Sequence, residues 1–245
     1  MTRAYFFLCR VLGSVLRSAR YSKARLGRRE VRKQRRFYAP LLIWMGGPLM
    51  KILDTGVRVL PQQDWHERER RIYWSLGRPP VGTGDGMLLL PCLTGQTLAS
   101  ILDDPRRDES VQNRAIELAI VALAEFHRLG FTHGDAMAEN VLVDLDGQVA
   151  HWFDFETVHD SNRPIGWRQA DDVRALLATC LVRTTPEKRA ETVQLILDAY
   201  ADDTVTGTLT TSFASVWQRP LTFHLAQAPL SIQCFREIAH YVPRP

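Results

Sequence analysis

The stretch FTHGDAMAENVLVDLDGQVAHWFDFE, residues 131–156, restricts the fold more than any other part of this chain. Val141 and Val143 alternate with Leu142, which is the two-residue period of a strand. DLDGQ follows, and its Asp146-Gly147 pair is a hairpin-turn signal. The next run, VAHWFDFE, is expected to be the partner strand, ending at Asp154 and Glu156. His133, Gly134 and Asp135 stand just ahead of Asn140, at the entrance to the first strand. One small hairpin thus carries carboxylates and an amide at neighbouring ends. Polar groups gathered where strands meet loops are a mark of binding sites.

The flanks read as helices around that hairpin. VQNRAIELAIVALAEFHRLG has helical apolar spacing and is closed by Gly130. After a loop through Pro164, ADDVRALLATCLVR reads as a helix that Asp171 or Asp172 caps. PEKRAETVQLILDAYADD is another, with Pro186 near its first turn. The rest, to Pro245, is expected to be helical in parts. Upstream, PLLIWMGGPLMKIL reads as a β-hairpin around Gly46-Gly47 with Lys51 in its second strand. WHERERRIYWSL reads as a helix whose Trp65, Ile72, Tyr73 and Leu76 face a core. RPPVGTGDG is loop-like, MLLLPCL is a buried strand, Thr94-Gly95 a turn and TLASILDD a short helix. The expected class is α+β, with strands and one helix first and helices enclosing a hairpin after. The join falls near Pro91–Gly95.

Charge divides the chain differently. Residues 1–40 hold twelve Arg and Lys against Glu30 alone, while the whole chain has a net charge of only +4. Phe7, Leu8, Val11, Leu12, Val15 and Leu16 form a helical stripe. Residues 1–36 are therefore expected to be a basic amphipathic helical extension, suited to an anionic membrane surface or to packing on the acidic body. A small β-rich lobe over 37–93 and a helical lobe over 94–245 follow. Nucleic acid is disfavoured, because the basic run carries no recognisable reading motif. No apolar run is long enough for a membrane span. Arg10 interrupts the first apolar stretch, so no secretory signal is expected. The four cysteines lack paired or metal-site spacing, which suits reduced thiols in a cytoplasmic protein, peripheral to the inner face of a membrane.

HGDAMAEN, followed by VLVD, HWFDFE and DDVRALL, resembles the protein-kinase-like superfamily. The likeness is strongest to its aminoglycoside-phosphotransferase and bacterial lipopolysaccharide (Kdo) sugar-kinase branches, and covers residues 41–200, best over 125–182. The resemblance implies a two-lobed kinase-like fold with a reduced β-rich N-lobe and a mainly helical C-lobe. It implies ATP and Mg²⁺ as cofactors. Asp135 then falls on the catalytic aspartate, and Asn140 and Asp154 on the metal ligands. Lys51 falls on the lysine that holds nucleotide phosphates, and Glu69 on its helix partner. Pro91, Cys92 and Leu93 fall on the hinge that holds adenine. His133 supports the catalytic turn, and Asp172, with Asp171 as the alternative, bonds it from the helix start. The residue types suit these roles. Mg²⁺ takes a few hard oxygen ligands and keeps its waters, and a carboxylate aligns an acceptor hydroxyl and takes its proton.

The sequence departs from that pattern in places. No glycine-rich loop precedes Lys51, and Glu156 stands where protein kinases have glycine. The interval from Asp154 to Asp172 is too short for a peptide-binding activation segment. The expected activity is therefore transfer of the γ-phosphoryl of ATP to a hydroxyl on a small molecule or lipid-linked sugar. A Ser/Thr protein kinase and a nucleotide-binding pseudokinase scaffold are the alternatives.

Overall fold

Antiparallel pairing of four short strands builds the first layer of the protein. The computed structural model describes residues 19–23, 30–35, 56–84 and 87–213. Strands β1 (Ala19–Lys23) and β2 (Glu30–Arg35) pair with each other, and β2 pairs in turn with β5 (Met87–Pro91). The short β4 (Gly82–Gly84) closes the far edge, giving the order β1-β2-β5-β4. β3 (Val57–Val59) lies outside this sheet and pairs with β9 (Thr157–His159). A third sheet joins β6 (Gln96–Thr97), β7 (Val141–Asp144) and β8 (Val149–Trp152) in that order. The class is α+β, as expected.

Two strands overturn an expectation. Residues 19–23 and 30–35 are strands, not parts of a basic helical extension. Arg, Lys and Gln are good helix formers, so EVRKQR carries no local strand preference. Its pattern has a period of two instead: Val31 and Lys33 point inward, while Arg32 and Gln34 are exposed. Lys33 pairs with Leu88 across the ladder, and Leu88 is fully buried. Pairing with the apolar β5 outweighs propensity here, as tertiary context often does. Residues 19–23 and 30–35 of the basic segment are thereby part of the sheet. The stripe from Phe7 to Leu16 and the hairpin expected around Gly46-Gly47 lie outside the described residues, as do Cys9, Lys51 and Cys234.

Helix α1 (Gln62–Ser75) has the expected inward face. Trp65, Ile72 and Tyr73 are buried, and each large apolar side chain removed from water contributes about 1.5–3 kcal/mol. Glu69 lies on the same stripe and is buried with them. Helices α2 (Leu98–Leu102) and α3 (Glu109–Arg128) follow β6; Thr97 caps α2 by accepting from Ser100 N at 3.2 Å. Helices α4 (Ile165–Leu181), α5 (Arg189–Tyr200) and α6 (Asp203–Phe213) complete the described chain. One apolar cluster runs from Leu88 and Leu90 through Trp65, Phe126, Phe155 and Leu176 to Leu209. Among the described residues, no helix is long and apolar enough to cross a membrane.

Local differences from expectation shape the site. The hairpin connection spans residues 145–148, with the left-handed residue at Gln148 (φ 52°), so Asp146-Gly147 is not a two-residue turn. Asp144 takes up the slack by accepting from Gly147 N at 2.9 Å. β8 stops at Trp152, which leaves residues 153–156 as a turn rather than strand. RPPVGTGDG contributes β4. Helix α4 begins at Ile165, so Asp171 and Asp172 lie inside it and cap nothing.

Gly95 anchors the turn between β5 and β6. Its φ is +108°, and an added Cβ would lie 2.4 Å from Val143 O. Gly95→Ala is expected to lower stability by about 2 kcal/mol or more. The urea midpoint reads this directly, and an unchanged midpoint would mean the turn tolerates a side chain.

Candidate active site

Construction begins where α3 ends. Gly130 (φ +83°) terminates the helix, and the chain passes through Phe131 and Thr132 to His133-Gly134-Asp135. Gly134 (φ +79°) approaches β9 so closely that a Cβ would meet the Thr157 carbonyl at 3.1 Å. The turn is held from below by Asp172 of α4, which accepts from His133 N at 2.6 Å and Gly134 N at 2.8 Å. His127 Nε2 donates to the same carboxylate at 3.0 Å, and His127 Nδ1 meets Tyr200 Oη at 2.7 Å. Burial alone would push the Asp172 carboxyl up. His159, His127 and His133 outweigh it and hold the group below its ordinary range. Asp171 takes a separate place, beside His159 and Arg174.

His133 joins two loops. Its Nε2–H donates to Phe153 O at 2.9 Å, and its Nδ1 accepts from Asp135 N at 3.3 Å. Those partners demand the neutral ring with the proton on Nε2. Burial also drives its pKa down to about 4. The 3₁₀ turn Ala138–Asn140 then returns the chain toward Asp135. Asn140 Nδ2 donates to both Asp135 O (2.8 Å) and Asp135 Oδ2 (2.9 Å). Both amide hydrogens are thus engaged, and the amide oxygen is the atom left to meet a ligand. Phe153 N donates to Asn140 O at 3.1 Å, which ties Asn140 to the turn that carries Asp154.

Asp154 adopts φ +70°, a left-handed conformation that non-glycine residues seldom take. The neighbouring bonds account for its retention. Phe155 N donates to Glu69 Oε1 at 2.9 Å, and the Phe155 ring lies in the core against Phe126 and Tyr73. Lys33 donates to Glu69 and, at 2.6 Å, to Asp154 Oδ1. Lys33 and Glu69 are fully buried, while the Asp154 side chain is 23% exposed. Asp154 is therefore the member of the trio that faces solvent. Burial pushes the Glu69 carboxyl up, and the Lys33 ammonium opposes that rise. Trp65 lies 5.2 Å from the same ammonium, in cation–π contact. A third connection comes from Arg68, which donates through Nη2 to Thr132 O (2.6 Å) and through Nε to Phe155 O (3.3 Å). Burial lowers its pKa to about 10, which leaves it charged near neutrality.

The structure brings together Asp135, Asn140, Asp154, Glu69, His133 and Asp172. Among the described residues, the amine that reaches Glu69 belongs to Lys33 in β2; Lys51, the lysine expected there, lies outside them. Pro91, Cys92 and Leu93 continue from β5, directly beside β2, with Pro91 opposite Glu30. Cys92 is exposed. Sequence reasoning missed Lys33, Arg68 and the two histidines His127 and His159 beside Asp172. The signal for Lys33 was its position two residues from Val31, on the inward face of a strand, but eleven other basic residues nearby concealed it. No group of three or more His, Cys, Asp and Glu suited to a metal occurs among the described residues. No family model matches the chain, and no curated protein matches it.

His133 gives the site a pH signature. Its folded pKa lies below the unfolded value, so protonation favours the unfolded chain. Its contribution is intact above pH 6.5 and is lost as pH falls toward 4, by about 3 kcal/mol in total. Urea unfolding at several pH values is expected to show a flatter acid limb for His133→Gln than for the wild type. Identical limbs would show that His133 titrates normally in the folded protein.

Proposed function

We propose that this chain is an ATP- and Mg²⁺-dependent phosphotransferase of the protein-kinase-like superfamily, acting on a hydroxyl of a small molecule or lipid-linked sugar. The observation that carries this reading is the buried Lys33, bonded at once to Glu69 of α1 and to Asp154 of the turn after β8. Kinases place a strand lysine, a helix glutamate and a metal-binding aspartate in that relation. The arrangement of elements also supports a two-lobed reading: the four-stranded sheet with α1 forms the small lobe, and α2 to α6 with the β7–β8 hairpin the large one. Residues 91–93 then form the link. The aminoglycoside-phosphotransferase and sugar-kinase branches remain the preferred analogy, because β9 and a short loop fill the whole interval from Asp154 to α4. That leaves little chain for docking a peptide.

The donor set fits Mg²⁺. Asp154 offers a partly exposed carboxylate, and Asn140 Oδ1 a neutral oxygen turned away from Asp135, which suits a hard cation that keeps several waters. When bound there, the ion neutralises phosphate charge. The chain's own groups supply the rest. Lys33, held in one direction by Glu69, sets a fixed positive charge behind Asp154 that favours phosphate oxygens there. Asp135, oriented by both hydrogens of Asn140, aligns the acceptor hydroxyl and accepts its proton. Buried and neutral, His133 fixes the height of the Asp135 turn without competing for that proton.

The basic strands bear on the acceptor. Arg32 is exposed on β2, within a segment far more basic than the body. That charge favours an acceptor at an anionic surface.

Asp135→Asn is expected to lower phosphoryl transfer by about a hundredfold or more and leave Mg-ATP affinity within about twofold. Transfer at the wild-type rate rejects the role of Asp135. Lys33→Ala and Asp154→Ala are each expected to abolish Mg-dependent ATP binding in calorimetry. Unchanged affinity in both would remove the basis of the nucleotide reading.

A further inference from the structure

Arg68 is not part of the lysine–glutamate–aspartate trio, yet it touches both loops on which the site depends. Its guanidinium donates from one edge to two main-chain carbonyls, Thr132 O and Phe155 O. Thr132 immediately precedes His133-Gly134-Asp135, and Phe155 immediately follows Asp154. Thr132 and Phe155 are 23 residues apart in the chain and lie in different loops. The neighbouring Glu69 accepts from Phe155 N, so consecutive residues of α1 hold both polar groups of one residue. Arg71, one turn further along the same helix, lies 5.7 Å from the Phe131 ring and seats α1 against the same approach to the turn.

We propose that Arg68 is a positioning residue that clamps the Asp135 turn to the Asp154 turn through α1, so that neither moves independently of the other. The consequence for activity rests on the phosphotransferase reading above; the clamp itself does not. A planar fork is needed because the two acceptors lie on separate loops and must be met in one plane. A lysine ammonium is a point donor and satisfies one carbonyl well. Each bond is charge-assisted, and a lost one leaves a main-chain carbonyl without its partner. Clamping matters most for the reacting geometry, where small misplacements are costly. With Arg68 in place, the left-handed Asp154 and the Gly134 turn share a single support.

Hydrogen exchange on the full chain tests the clamp without any ligand. Arg68→Met is expected to speed exchange about tenfold or more at 132–135 and at 154–157 together, with α3 and α5 unchanged. Arg68→Lys is expected to protect one of the two loops and release the other. Loosening of neither loop, or of only one in the methionine variant, overturns the proposal. If the methionine variant exchanges faster everywhere, the lysine variant decides: one loop released over a stable core supports the clamp, and both loops protected as in wild type overturns it. The kinetic arm follows transfer from ATP. The clamp predicts a kcat in Arg68→Met lower by about tenfold or more, with the KM for ATP within about threefold. A raised KM with unchanged kcat would make Arg68 a binding residue and overturn the positioning role. A wild-type chain with coupled loops but no Mg-dependent ATP binding would sink the phosphotransferase reading and leave the clamp standing.

Discussion

A lysine ammonium buried completely beneath a sheet is the constraint to which the other parts answer. Lys33 has no access to water, so its charge must be met inside the protein. Glu69 meets it from α1 and Asp154 from the turn after β8. Removing one partner of such a group typically costs 3–5 kcal/mol, whereas the intact set contributes little net stability. The trio is therefore better understood as a device for specificity. It fixes how the four-stranded sheet, α1 and the Asp154 turn sit on one another. Glu69 extends that order by receiving Phe155 N, which explains how Asp154 keeps a backbone conformation that it would seldom adopt alone.

A second buried charge does the same work on the helical side. Asp172 occupies the concave side of the His133–Gly134 turn and accepts two main-chain N–H groups there. His127 and Tyr200 connect it to α3 and α5. The two charge centres meet through short links: His133 to Phe153, Phe153 to Asn140, and Arg68 to Thr132 and Phe155. Asp135 and Asp154 are thus carried on loops, but every loop is bonded to a helix or to its neighbour. Loops of this kind can hold two carboxylates close together, where free loops would let them move apart.

Much of the helical half was legible in the sequence. The spacing of α3, its closing Gly130, the β7–β8 alternation and the apolar face of α1 are local patterns, and local patterns survive being read without a partner. The candidate site was legible for the same reason, since His133, Asp135, Asn140 and Asp154 fall within 22 residues of one another. Errors arose where the deciding partner was distant. Local pattern read Asp172 as a helix cap, and only the resemblance assigned it to the turn, because its partners, the amides of residues 133 and 134, lie 39 and 38 positions away. The strand expected through Glu156 stopped at Trp152 because Glu69, Arg68 and the β3–β9 pairing claim residues 155–159.

By itself, the sequence determined the order of the helices from α1 to α5, the close spacing of His133, Asp135 and Asn140, and the α+β class, because each follows from periodicity, turn chemistry and short spacings. Only the tertiary structure decided which lysine is the internal cation. EVRKQR is too charged to announce a strand, and the spacing of Lys33 from Val31 carries weight only once a strand is known to form there. The choice was made by register. Opposite Leu88 of β5, Lys33 has its side chain on the buried face, above Trp65 and within reach of Glu69, while Arg32 and Gln34 are left in water. A shift of one residue would reverse those faces and put an arginine in the core, so the pairing of two strands more than fifty residues apart settles the electrostatics of the site.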